Sequence, residues 1–153
     1  MMEKVKDILA SKGTEVISVR PETGIMKALE VMAEHNIGAI LVLDTSGEVA
    51  GIFSERDLAR KIILKAHSCD TTLVGEIMTS KITYTDPSAS IEDCMDLMTS
   101  HHFRHLPVKD NGKLVGLISI GDVVKALIER QGRIISQQAF EIGQNERKHT
   151  GAI

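Results

Sequence analysis

The sequence predicts an α/β fold (α+β in some schemes) made of two pseudo-symmetric β-α-β-β-α units packed through their sheets. Three observations predict it. First, the stretch from Glu15 to Asp44 realigns on Lys81 to Asp110 at an offset of 66, with identities at Pro21/Pro87, Ile25/Ile91, Met32/Met98, His35/His101, Val42/Val108 and Asp44/Asp110. One turn residue further on the offset falls to 65 and adds Gly47/Gly112, Gly51/Gly116, Ser54/Ser119, Asp57/Asp122 and Ile63/Ile128. Second, the apolar spacing alternates between strand and helix periods in the same order in both copies. Third, 153 residues, 42% hydrophobic and 25% charged, suit one compact domain or two small intertwined halves around a core.

The elements follow in order. A short lead-in is itself repeated, with Val5, Ile8 and Ser11 matching Val74, Ile77 and Ser80 at an offset of 69. A strand is expected at Val16 to Val19 and at Ile82 to Thr85, closed by Pro21 and Pro87. Next comes an amphipathic helix, its apolar face marked by Ile25, Ala28, Leu29 and Met32 in one copy and by Ile91, Cys94, Met95 and Met98 in the other. Hairpins then join Ala39–Leu43 to Val49–Phe53 through DTSGE, and Leu106–Lys109 to Leu114–Ile118 through DNG. A closing helix ends each copy. Leu58, Ala59, Ile62, Ile63 and Leu64, like Val123, Val124, Ala126, Leu127 and Ile128, spread over more than one face, so each closing helix wants a second partner and a homodimer is expected. Three strands cannot bury both their faces alone, which is why the copies should meet through their sheets. The expected organisation is 5–65 for repeat one, 74–130 for repeat two and 131–153 for a partly disordered tail. In the tail the apolar set Ile134, Ile135, Phe140 and Ile142 suggests a small extra helix, with disorder beyond Gly143.

Composition excludes several functions. A net charge of −3 is opposite to the basic footprint that phosphate-backbone binding requires, and 3% aromatics leave few platforms for stacking bases, so nucleic acid is a minor alternative. No apolar run of the roughly 18 residues needed to span a bilayer occurs, and MMEKVKDILASK has no secretory apolar stretch, which argues for a cytoplasmic protein away from membranes. Cys69 and Cys94 stand apart without a CxxC pair, so neither a disulfide nor a zinc knuckle is expected. His101, His102 and His105 with Cys94 lack the spacing of a metal set, and His101 and His35 fit helix C-termini better. The chain carries no GxSxG, GxxxxGK[ST], GxGxxG or HExxH motif, and no histidine base is placed for a nucleophile, so no catalysis is expected.

The pattern with chemistry is Gly-Ile-Phe-Ser-Glu-Arg-Asp at Gly51–Asp57, repeated as Gly-Leu-Ile-Ser-Ile-Gly-Asp at Gly116–Asp122. A strand ends, Ser54 or Ser119 opens a helix, and Asp57 or Asp122 follows three residues later. Helix-start N–H groups and a hydroxyl attract phosphate, and a carboxylate can accept both hydroxyls of a ribose. Ser-x-x-Asp is equally a capping box that satisfies a helix start by itself. The copies are unequal: Arg56 and Arg60, with Lys61 beside them, have Gly121 and Lys125 as the counterparts of the two arginines. Repeat one is therefore the better equipped for an extended phosphate, the alternative being a solvated helix face.

The twofold β-α-β-β-α unit, each copy ending in Gly-h-h-Ser-x-x-Asp with h apolar, resembles a pair of CBS domains, a Bateman module named after cystathionine β-synthase. The lead-ins VKDILAS and VGEIMTS and the stretch HHFRHLPVKDNGKLVGLISIGD fit that family, and the likeness runs from about Val5 to Arg130. It is closest in kind to small stand-alone bacterial CBS-pair proteins. The resemblance implies a regulatory module binding adenosine nucleotides in clefts between the repeats. Asp57 and Asp122 match the family's ribose acid, and Ser54 and Ser119 its phosphate-contacting hydroxyl. The adenine would be lined by Ile17 and Ser18 or by Thr83 and Tyr84, with Ile37, Gly38 and Ala39, or Arg104, His105 and Leu106, as the other wall. AMP or NAD is the favoured regulatory ligand, and ADP, ATP and S-adenosylmethionine are further candidates. A downstream protein partner is implied without being identified. The competing class is an interaction scaffold with vestigial sites, which a nucleotide would not stabilise.

Overall fold

The computed structural model describes residues 3–149. In chain order the elements are α1 (Val5–Lys12), β1 (Ser18–Val19), α2 (Ile25–His35), β2 (Ala39–Leu43), β3 (Val49–Ser54), α3 (Glu55–Asp57) running into a π-helical stretch Leu58–Ile63, α4 (Val74–Ile77), α5 (Ile91–His101), β4 (His105–Asp110), β5 (Lys113–Ser119) and α6 (Ile120–His149). In the first sheet β1 lies parallel to β2 and β2 antiparallel to β3, while β4 and β5 form an antiparallel pair.

The repeat is visible in small features. Both hairpins carry a register shift at the same place, between Val42 and Leu43 and between Val108 and Lys109. The second hairpin closes through Asn111 and Gly112, both at positive φ (51° and 78°), the tight turn that an Asn-Gly pair favours. The longer DTSGE turn accommodates the extra residue that changes the repeat offset. Helices α2 and α5 both end on a left-handed residue, Asn36 and His102. The Ser90 hydroxyl caps α5 by accepting the Asp93 N–H at 3.0 Å.

Strand β1 is shorter than the sequence suggests, two residues instead of Val16–Val19, and Ile82–Thr85 makes no strand at all. Only Thr85 pairs there, by a parallel bridge to Val108, its N–H donating to Pro107 O and its carbonyl accepting from Lys109 N, each at 3.0 Å. Ile82 and Thr83 line a cleft instead of a ladder.

The core has two parts. One combines Ile25, Ala28 and Met32 of α2, Ile40 and Val42 of β2, Phe53 of β3, Ile62, and Val74 and Ile77 of α4. The other combines Ile91, Cys94 and Met98 of α5, Leu106 and Val108 of β4, Ile118 of β5, Val123 and Ala126 of α6, and Val5, Ile8 and Leu9 of α1. The lead-ins are thus exchanged: α1 completes the core of repeat two, and α4 that of repeat one. Two glycines permit the approach, since a Cβ on Gly116 would stand 2.6 Å from Leu9 Cδ2 and one on Gly51 2.6 Å from Met78 Sδ. Ala39 and Leu41 on the opposite face of β2, and Pro107 on that of β4, are buried as well. Burial on both faces fits two repeats packed through their sheets.

Helix α6 continues without a break from Ile120 to His149, where the sequence suggests a separate short helix after Arg130 and disorder past Gly143. Arg130 pairs with Glu92, tying α6 to α5. Of the expected apolar tail set, Ile142 is exposed; the side chains of Ile134, Ile135 and Phe140, and all of residues 150–153, lie outside the described ones.

Candidate functional site

Between the repeats lies a cavity of about 230 Å³. Repeat one contributes Gly38 from the approach to β2, Ile52 and Ser54 from β3, and Glu55, Arg56 and Asp57 from α3. The segment after α4 adds Thr79, Lys81, Ile82 and Thr83, and the turn into β4 adds His102, Phe103, Arg104 and His105. The β2–β3 register sets Ala39 opposite Ser54, which brings the start of one strand beside the end of the other and so gathers Gly38 and the Ser-x-x-Asp turn at one end of the sheet.

Asp57 is 6% exposed and fully engaged. Its Oδ2 accepts from Ser54 N (3.0 Å) and Ser54 Oγ (3.2 Å), and its Oδ1 from Thr79 Oγ1 (3.1 Å) and Lys61 Nζ (3.0 Å). The helix start is satisfied too, because Glu55 N donates to Gly38 O at 3.0 Å and Asp57 N to Ser54 Oγ at 3.2 Å. The capping box is therefore fully formed. A sugar hydroxyl meeting Asp57 has to exchange with Thr79 or Lys61, and attraction for an anion falls mainly to the cations Arg56, Lys81 and Arg104. Arg56 Nη1 reaches back to His102 O at 3.5 Å, a contact long enough to give up.

His105 stands at the edge of these charges. Its pKa is lowered to about 4, first by burial and then by repulsion from Lys12, Arg104 and Arg56, with Asp122 acting the other way. The shift is first an effect of this half-buried ring's desolvation, and Lys12, the basic side chain that adds most to it, is paired with Asp122 outside the cavity lining. Ile52, Ile82 and Phe103 give the cavity an apolar part, and Thr83 adds a hydroxyl.

Of the residues singled out in the sequence, Gly38, Ser54, Arg56, Asp57, Thr83, Arg104 and His105 meet in this cavity. The others lie elsewhere. Leu106 and Ala39 are buried, Leu106 within the second core, and Ile17 packs against the first. Arg60 is exposed on the π-helical stretch, Tyr84 lies 4.1 Å beneath Lys109 Nζ, and Ser18 pairs with Leu41 in the sheet. Ile37 packs beside the first core. Ser119, Gly121 and Asp122 form the second copy of the motif, in which Asp122 Oδ2 accepts from Ser119 N (2.8 Å) and Lys12 Nζ (2.7 Å). Thr79, Lys81 and Phe103 were not singled out as site residues; the repeated lead-in could have pointed to Lys81, the counterpart of Lys12 at an offset of 69. Cys69 and Cys94 are free, burial pushing the Cys94 thiol up, and no metal-holding cluster occurs among the described residues.

A cleft assembled from two repeats, holding a capped carboxylate, an apolar wall, several cations and Glu55, defines a paired-repeat module. The CBS domain description matches residues 5–64 and 74–129, most of the chain, and the chain belongs to the CBS domain family. It is 34% identical over 80% of its length to the CBS domain-containing protein YhcV of Bacillus subtilis, covering 84% of that protein. It is 37% identical to the mitochondrial CBS domain-containing protein CBSX3 of Arabidopsis thaliana, over 81% of this chain and 64% of that longer one. The crystal structure of the CBS-domain containing protein ATU1752 from Agrobacterium tumefaciens superposes with a TM-score of 0.79 at 40% identity, over 82% of this chain and 94% of that one. The fold is also that of the CBS domain pair of protein MJ0100, solved in complex with 5′-methylthioadenosine and S-adenosylmethionine, at a TM-score of 0.72 and 22% identity over 85% of this chain and 99% of that one.

Proposed function

We propose that this CBS pair is a non-catalytic sensor that binds an adenine nucleotide in the cleft between its repeats, AMP or NAD before ADP, ATP or S-adenosylmethionine. It acts in the cytoplasm as a homodimer on a downstream protein. The observation that carries the reading is the cavity itself: Ser54 and Asp57 of one repeat face the Lys81–Thr83 and His102–His105 segments of the other, so a ligand there bridges both. The apolar side chains suit a base, Asp57 a ribose, and Arg56, Lys81 and Arg104 a phosphate.

Thermal unfolding with millimolar AMP, ADP, ATP, NAD and S-adenosylmethionine tests it. A ligand at about 100 times its Kd stabilises the native state by about 2.7 kcal/mol, and a midpoint unmoved by all of them returns the chain to the scaffold class. Isothermal titration then separates the residues. Arg56→Ala should lose roughly 10 to 150-fold for ADP, as expected for a lost charge-assisted pair of about 1.5 to 3 kcal/mol, and much less for adenosine. Asp57→Ala should weaken both ligands alike. Equal losses for adenosine and ADP in Arg56→Ala would assign Arg56 to the solvated helix face.

A further inference from the structure

We propose that Lys12 is an internal latch on the second copy of the motif: its ammonium holds the carboxylate of Asp122, so that the cleft beside Asp57 fills first and the Ser119–Asp122 motif accepts a nucleoside only when Lys12 lets go. The inference deepens the nucleotide reading and rests on it.

The repeat supplies the argument. Lead-in positions correspond at an offset of 69, and the correspondence is physical, because Leu9 packs on Gly116 as Met78 packs on Gly51. Lys12 is thus the counterpart of Lys81. Lys81 lines the first cavity and makes no ion pair among the described residues. Lys12 instead folds onto the acid, 2.7 Å from Asp122 Oδ2, and donates to Leu117 O at 2.9 Å.

The reason lies in what each acid has around it. Asp57 takes its cation from its own helix, Lys61 at i+4, which also donates to Ile77 O at 3.0 Å, and it takes a hydroxyl from Thr79. The counterparts of Lys61 and Thr79 in repeat two are Ala126 and Ala10. Asp122 has neither partner, and a half-buried carboxylate without a cation draws the nearest one, the lead-in lysine. Burial alone would raise the Asp122 carboxyl; the Lys12 ammonium and the Ser119 N–H outweigh it and hold the group below its ordinary value. The first motif therefore keeps its lead-in lysine free for a ligand, while the second spends its own on the acid. The Lys12 side chain is 38% exposed and that of Asp122 23%, so water reaches the pair and it opens without unfolding.

Titration with adenosine, which carries no phosphate for Lys12 to attract, tests the latch on the full chain. Lys12→Met keeps the aliphatic stem and removes the charge. It should tighten the weaker binding event about 2 to 5-fold, the scale of a partly exposed ion pair, and leave the stronger event unchanged. Lys12→Gln, checked for native circular dichroism, should do the same. In the wild type, acetylation of Lys12 by an N-hydroxysuccinimide ester, read by mass spectrometry, should rise on saturation with adenosine, whereas saturation with AMP should lower that of Lys81. Wild-type binding that Lys12→Met and Lys12→Gln leave unchanged, with Lys12 labelling indifferent to adenosine, overturns the latch alone. Failure of wild type and variants alike to bind any adenosine ligand overturns the nucleotide reading and the latch with it.

Discussion

His105 begins β4 opposite Ser119 and also lines the cavity, so a single imidazole feels both copies of the motif. Its folded pKa of about 4 lies below the ordinary 6.5, because burial and the charges of Lys12, Arg104 and Arg56 penalise the imidazolium. The unfolded chain therefore binds a proton that the native chain refuses between these two values. Stability from this group is complete above about pH 6.5 and is lost as the pH falls toward 4, a decline on the order of 2 to 3 kcal/mol. Urea midpoints of wild type and His105→Gln across pH 4 to 7 should diverge on the acid side, the wild type falling more steeply. Parallel profiles would remove His105 from the acid sensitivity. An anion in the cleft reverses part of the penalty, so bound nucleotide should flatten the wild-type profile as well.

The closing elements leave their apolar excess in water. Ile63 and Leu64 are 66% and 78% exposed, and Ile128, the repeat counterpart of Ile63, is 64% exposed. Exposed apolar groups at equivalent positions on both closing helices suit a second copy of the same chain meeting both repeats at once. Light scattering at micromolar concentration should give about twice the 16.7 kDa chain mass, and Ile63→Glu with Ile128→Glu should return it to one. A wild-type monomer with and without nucleotide would defeat the dimer. This excess was legible in the sequence because five apolar residues in a run of seven, and five in a run of six, cannot share one helical face. The helices α2 and α5 were legible from i, i+3, i+4, i+7 spacing, and the second hairpin from Asn111-Gly112. The short β1 and the missing strand at Ile82–Thr85 were not. β-branched residues there promise a ladder, but Ile82 and Thr83 turn to the cleft, and a local pattern cannot say whether a strand-like segment finds a neighbour.

At the scale of the whole molecule, the sequence pairs each lead-in with the repeat that follows it, whereas the fold pairs it with the other one. Val5, Ile8 and Leu9 announce an apolar face without stating which core it fills, and the same spacing at Val74 and Ile77 is equally silent. The exchange also decides the site: it carries the segment beyond α4 past β3, where Ile52 and Thr79 exchange backbone hydrogen bonds at 2.9 and 2.8 Å, and so brings Thr79 to Asp57 and Lys81 to the cavity. The repeated lead-in marks Lys81 as a paired position, but neither it nor Thr79 could be placed in the site by motif, because their role depends on that crossing. A pair of substitutions tests it. Ile8 is 3% exposed and Ile77 6%, so truncation of either to Ala leaves a cavity costing about 2 to 4 kcal/mol. Ile8→Ala should speed amide exchange in α5, β4 and β5, eighty and more residues away in sequence, and spare β2 and β3; Ile77→Ala should do the reverse. If Ile8→Ala instead loosens Ala39–Ser54 and leaves His105–Ser119 protected, each lead-in belongs to its own repeat, and the route by which Lys12 reaches Asp122 is lost along with the exchange.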